Sequence, residues 1–266
     1  MIRIVIGALA LVCGGMSAWA NDLSAAKPNA DPAPMRFEWR VEGPARQCGS
    51  HCRSWISAIG VITENSARDF EAFAKDKEMH GATIVLDSEG GSVRAALALG
   101  RLIRSFDMTT TVGKTIALPS VDGDKSRATL SPDASCESMC AFLLLSGTRR
   151  YVPPQARVLV HQIWLGDKSK HALEASYTAE ELGLVQRDIG TIARYTVEMG
   201  GGIELLETAL RTPPWKPMYS LSADEIRRMR LTTVERLFEP ETPPAISTLG
   251  HSSPPVASAI QTTGSN

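Results

Sequence analysis

The run Ala82-Thr-Ile-Val-Leu86 shows no polar alternation, as expected of a short strand buried on both faces. It leads through Asp87-Ser-Glu into Gly90-Gly91-Ser92, and from there Val93, Ala96, Leu97, Leu99, Ile103 and Phe106 recur at helical spacing. Thr109 to Val112 then reads as a second strand. Strand, helix and strand in this order predict parallel strands joined by a helical crossover, which limits the chain to an α/β architecture.

The neighbouring segments extend that reading. Phe37-Glu-Trp-Arg-Val41 alternates like a strand, Ile56 to Ile62 is another apolar run, and Ser66 is placed to cap a helix carrying Phe70, Phe73 and Ala74 on one face. Leu118 to Ala134 is polar and broken by Pro and Gly, which predicts an insertion. Thr178 to Met199 reads as a long amphipathic helix ended by Gly200-Gly201-Gly202, followed by a short helix over Ile203 to Leu210. Ser222-Ala-Asp-Glu225 has the form of a capping box, opening a helix that holds Ile226 and Met229.

Both ends read differently. Arg3, the apolar run Ile4 to Met16 and Ser17-Ala-Trp-Ala20 have the form of an export signal over residues 1–20. The run is shorter than the ~20 residues that span a bilayer, so a periplasmic or secreted chain without stable membrane insertion after signal cleavage is expected; a retained anchor is the alternative. Residues 21–35 and 239–266 are rich in Pro, Ala, Ser, Thr and Asn without periodicity, predicting a flexible leader and a disordered tail. A single α/β domain over 36–238 remains, in keeping with 266 residues of which 43% are hydrophobic and 21% charged. A formal net charge of -1 and no basic stripe among the aromatics argue against a nucleic-acid partner.

Chemistry concentrates in two places. Ser138 sits in a turn, Cys136-Glu-Ser-Met-Cys140, that feeds an apolar stretch, and His161 ends the apolar strand Val158-Leu-Val160. A serine hydroxyl is protonated at neutral pH and becomes a useful nucleophile only beside a base, which a histidine supplies. Each residue also has a plainer role: Ser138 as a helix N-cap, His161 as a core histidine satisfied by its surroundings. Gly90-Gly91 likewise fits a turn that requires positive φ.

With the signal removed, Cys48, Cys52, Cys136 and Cys140 remain, an even number in a compartment that permits oxidation. Three connectivities are open to four cysteines. Cys48 with Cys52 and Cys136 with Cys140 is the favoured pairing, because the second would clamp the turn on both sides of Ser138. A zinc site on the two C-x-x-x-C pairs, with His51 beside one of them, is the rival; its spacing departs from the usual C-x-x-C knuckle.

Three blocks carry a family resemblance. Leu86-Asp-Ser-Glu-Gly-Gly-Ser-Val93 resembles the strand, loop and helix start of the Clp protease proteolytic subunit, Glu137-Ser-Met-Cys-Ala-Phe-Leu-Leu144 is similar to its nucleophile turn, and Val158-Leu-Val-His-Gln162 to the strand ending in its catalytic histidine. Leu221-Ser-Ala-Asp-Glu225 extends the likeness modestly. The resemblance implies the spiral of ββα units shared by Clp proteases, signal peptide peptidases and crotonases. It also implies Ser138 as nucleophile, His161 as base, the Gly91 and Met139 amides as an oxyanion hole, a peptide or protein substrate, no cofactor, and assembly of identical subunits.

The likeness breaks at the third catalytic member. Where the family carries an acid, Pro213-Pro-Trp-Lys-Pro-Met-Tyr219 has no carboxylate. Asp167 and Asp188 are the substitutes the sequence offers, and Lys114 would serve a serine-lysine arrangement. Glu89 replaces a proline of the family pattern and Cys140 a glycine. Three functions therefore stay open: an exported serine peptidase, an inactive descendant retained for binding or scaffolding, and crotonase-type acyl-CoA chemistry, which the export signal disfavours.

Overall fold

In a computed structural model of the protein, the described residues are 33–120, 126–171 and 173–238, and they belong to one compact unit. The side chains of Ser50, Asp167, Ser169 and Lys170 lie outside the description, as do the expected export signal, most of the leader and the tail. The fold is mixed α/β.

The first strands are β1 (Arg36–Glu42), β2 (Ser54–Ile59), β3 (Thr83–Asp87) and β4 (Thr109–Val112), interleaved with helices α1 (Ala45–Cys48), α2 (Ser66–Ala74) and α3 (Val93–Ser105). Then come β5 (Lys114–Ala117), β6 (Arg127–Ser131), β7 (Ser135–Glu137), α4 (Met139–Leu144), β8 (Arg149–Tyr151) and β9 (Arg157–Val160). The remainder is α5 (Ala179–Glu198), α6 (Glu204–Leu210), β10 (Tyr219–Ser220) and α7 (Ala223–Arg228). Seven strands form one sheet in the order β5-β6-β1-β2-β3-β4-β8, and β10-β9-β7 form a smaller one.

The run β2-β3-β4-β8 is parallel, as the crossover argument requires, whereas β1 is antiparallel to β2 and β5 to β6. β3 is buried on both faces: Ile84 and Leu86 join the main core, while Val85 packs with Trp55 and Ala128 on the opposite face. α3 starts where the Ser92 hydroxyl accepts a hydrogen bond from the Ala95 amide, and it packs against α2, α4 and α5. α5 and α7 both open with capping boxes, at Thr178 with Glu181 and at Ser222 with Glu225.

Two local expectations are corrected. Leu118 to Ala134 is not merely an insertion, because β6 within it pairs parallel to β1 and antiparallel to β5. Its signal is a single buried position, Ala128, set among partly exposed neighbours. Ser66 does not cap α2: Asn65 holds the cap position, and Ser66 is buried in the first turn, where its hydroxyl accepts from the Thr63 amide at 2.9 Å.

Both cysteine pairs are disulfides, Cys48–Cys52 and Cys136–Cys140, so these sulfurs serve as covalent staples and not as zinc ligands. No helix among the described residues is long and apolar enough to cross a membrane.

Two arginines close the ends of α4 and α5. Arg150 donates to the carbonyls of Leu145, Gly147 and Met199 at 3.0–3.1 Å and to that of Arg230 at 2.8 Å. Arg104 donates to the carbonyls of Leu145, Ser146, Gly147 and Met199 at 2.6–3.2 Å. Guanidinium groups at helix C-termini satisfy carbonyls that lack intrahelical partners and oppose the negative end of the dipole. Burial, followed by the charges of Arg104 and Arg230, pushes Arg150 down to about 10, so it stays charged at neutral pH. Arg150→Met should lower the unfolding free energy in urea by about 2 kcal/mol, since it takes the guanidinium donor from the Arg230 carbonyl and one of the two from the Leu145, Gly147 and Met199 carbonyls. An unchanged midpoint would contradict this role.

Candidate active site

The site begins with a backbone conformation. Ser138 joins β7 to α4 with φ 54° and ψ −121°, a region that non-glycine residues rarely occupy. Such a turn costs on the order of 1–3 kcal/mol and persists only where its surroundings over-determine it. Here they do so in four ways. β7 is paired in parallel with β9, the Ser138 amide donates to the Leu159 carbonyl at 2.8 Å, the Glu137 amide donates to the Ser88 carbonyl at 2.9 Å, and the Cys136–Cys140 disulfide brackets the turn. Both of its cysteines are fully buried.

Ser138 occupies the N-cap position of α4, yet its side chain makes no capping hydrogen bond. The hydroxyl is thereby left to a different use, projecting from a sharp strand-to-helix turn as nucleophilic serines do.

The glycine loop lies directly beneath. Gly90 and Gly91 have φ of 86° and 136°. A Cβ on Gly90 would lie 2.5 Å from the Glu137 carbonyl oxygen and 2.8 Å from the Ser138 Cβ. The loop is tied down on one side, where the Ile62 amide donates to the Gly90 carbonyl at 2.7 Å and the Ser92 amide donates to the Ile62 carbonyl at 2.8 Å. Those two bonds face Ile62, so the intervening Gly91 amide is turned the other way. Among the described residues neither the Gly91 nor the Met139 amide meets a hydrogen-bond acceptor.

Ser138, His161, Gly91 and Met139 line one cleft of about 750 Å³. Val93, Ile163, Trp164, Leu165 and Leu184 supply its apolar wall, while Glu64, Glu89, Arg94, Arg187 and Asp188 supply charge. Glu64 accepts from the Ser92 hydroxyl at 2.5 Å and pairs with Arg94 at 2.6 Å. The His161 and Trp164 rings meet edge to face, with centroids 6.2 Å apart. Ser138 and His161 are not hydrogen-bonded to each other; in catalytic pairs this bond commonly tightens only when substrate is in place.

Burial holds the His161 ring below the usual imidazole pKa, against opposing contributions from the Gln162 backbone and the Glu137 charge. The neutral, proton-accepting ring therefore persists to lower pH than in a free histidine. If the ring acts as base, the midpoint of the fall in kcat/KM with decreasing pH should lie below 6.5, with the loss approaching tenfold per pH unit beneath it. A decline centred above pH 6.5 would contradict that role.

The remaining candidates are distributed unevenly. Asp188 lines the cleft, and burial raises its carboxyl above the usual carboxylate range against the pull of Arg187 and Arg94. Asp167 lies in the turn of 3-10 helix Gly166–His171, and its side chain is among those not described. Lys114 is exposed on β5, and its charge acts on Asp87. The carboxylate whose charge reaches His161 is that of Glu137, which the sequence reading passed over. Its signal was available only through strand register, because Glu137 stands opposite Leu159, two residues before His161. No protein-family model matches the chain, and no curated protein matches it significantly.

Proposed function

We propose that this chain is an exported Clp-like serine peptidase, with the spiral ββα fold of Clp proteases and crotonases, that cleaves peptide bonds through an acyl-enzyme on Ser138. The observation that carries the reading is the positive-φ, uncapped Ser138 sharing a cleft with His161 and the acceptor-free Gly91 and Met139 amides.

In the first half-reaction the Ser138 Oγ attacks the scissile carbonyl carbon and His161 takes its proton. The carbonyl π pair moves onto oxygen, where two N–H donors stabilise it; one such donor is typically worth about 3 kcal/mol of barrier. Collapse breaks the C–N bond, and His161 returns the proton to the departing amine. Water then repeats the sequence and frees the acid. The chemistry calls for no metal or organic cofactor. The N-terminal export signal and the two disulfides support a periplasmic or secreted location.

One observation favours a second reading, a retained fold that binds without turnover: among the described residues no carboxylate is hydrogen-bonded to His161. Purified wild type and Ser138→Ala, assayed on a panel of fluorogenic peptides and activated esters, separate the two. Turnover by wild type alone supports the peptidase; turnover by neither protein on any substrate supports the binder.

A further inference from the structure

The carboxylate missing from the expected third position has a neighbour that can replace it. β7 and β9 run parallel with Cys136 opposite Val158 and Glu137 opposite Leu159. Alternation along a strand puts Leu159 and, one step beyond the end of β9, His161 on the face that Glu137 shares, while Val158 and Val160 turn to the core. The burial pattern agrees: Cys136, Val158 and Val160 are fully buried, whereas Ser135, Glu137, Leu159 and His161 are only partly so. Diagonal neighbours on one face of paired strands lie about 7–8 Å apart, within reach of a glutamate and an imidazole.

We infer that Glu137 is the positioning residue for His161, orienting the ring and stabilising its protonated form from the strand next door. This rests on the Ser-His reading of the cleft and names the acid which that reading lacks. The Ser135 hydroxyl donates to Glu137 Oε1 at 2.9 Å, which fixes the carboxylate and leaves its second oxygen available. The peptide chain itself then ties acid to nucleophile, because Glu137 immediately precedes Ser138 and their shared turn is held rigid.

Asp87, reached through the Ser88 to Cys136 bridge, is the other carboxyl of this neighbourhood; burial and the Glu137 charge raise it, while a hydrogen bond to the Ser135 backbone and the Lys114 charge lower it. The cleft that His161 lines is also lined by Glu64, Glu89 and Asp188, together with Arg94 and Arg187. Of the charged groups in these two settings, Glu137 is the one whose charge acts on the ring.

The test is an NMR titration of the His161 ring in the full chain, with its resonance assigned by loss in His161→Gln. Glu137→Gln should lower the His161 midpoint by about half a pH unit or more, since a nearby negative charge favours the imidazolium. It should also slow acylation of Ser138 by a fluorophosphonate at least about tenfold, with little change in the reagent concentration giving half the maximal rate. Glu137→Asp should restore part of both. Ser135→Ala, which removes only the tethering hydroxyl, should give an intermediate shift and decides the matter if Glu137→Gln does not fold. A folded Glu137→Gln, or failing that a folded Ser135→Ala, with an unchanged His161 titration would overturn the inference. A wild type that shows the coupling but never acquires an adduct would instead overturn the peptidase reading and leave the Glu137 to His161 coupling standing.

Discussion

Ser138→Ala and His161→Ala should each reduce peptide or ester turnover by about 10⁴-fold or more, and the double variant should be little worse than either alone. The size follows from the roles: without the hydroxyl no acyl-enzyme forms, and without the ring the hydroxyl keeps its proton. Non-additivity is expected because nucleophile and base act as one unit. The thermal midpoint of Ser138→Ala should change little. Ser138 makes no side-chain hydrogen bond at its cap position, so its truncation strands no partner. If Ser138→Ala kept activity within tenfold of wild type while His161→Ala lost it, a different nucleophile would be at work.

Gly91→Ala should be strongly destabilising. The new Cβ would lie 2.1 Å from the Ile62 carbonyl oxygen and 2.9 Å from its carbon, at a φ of 136° that side chains avoid. Both clashing atoms are backbone, held by the two hydrogen bonds that frame the loop, so neither can swing aside. Strain and overpacking together should cost on the order of 3 kcal/mol. That is a large share of the 5–15 kcal/mol that typically holds a domain together. Where the variant does fold, the Gly91 amide must move, and acylation of Ser138 should slow by a further 10²-fold or more. Chemical denaturation and labelling kinetics on the same preparation separate the two effects; wild-type stability together with a wild-type rate would contradict the account of the loop.

How much of this was legible in the sequence depended on whether the controlling interactions were local. α3, α5 and α7 announce themselves because an apolar stripe and a start or stop signal lie within one continuous stretch: Gly90-Gly91-Ser92 before α3, the glycine run after α5 and the capping box of α7. β3 and β4 are legible for the same reason, being short apolar or β-branched runs buried on both faces. β6 was hidden because its one buried side chain, Ala128, is packed by Trp55 and Val85 from distant strands. The pairing of Ser66 with Thr63 in place of a cap reflects burial, which propensity does not encode.

At the site, Ser138, His161, Gly91 and Met139 could be nominated because each sits in a short motif, and the cleft brings all four together. Glu137 could not be, since an acid next to a serine carries no signal until the β7 to β9 register is known. The same holds for Arg104 and Arg150, which both reach the Met199 carbonyl at the end of α5, far away along the chain.

The most direct test is to treat the folded protein with a fluorophosphonate, digest it, and locate the adduct by mass spectrometry. The account predicts one modified residue, Ser138, with labelling lost on prior unfolding and abolished in His161→Ala. An adduct on another serine, or none on the folded chain under conditions that label a known serine hydrolase, would contradict it.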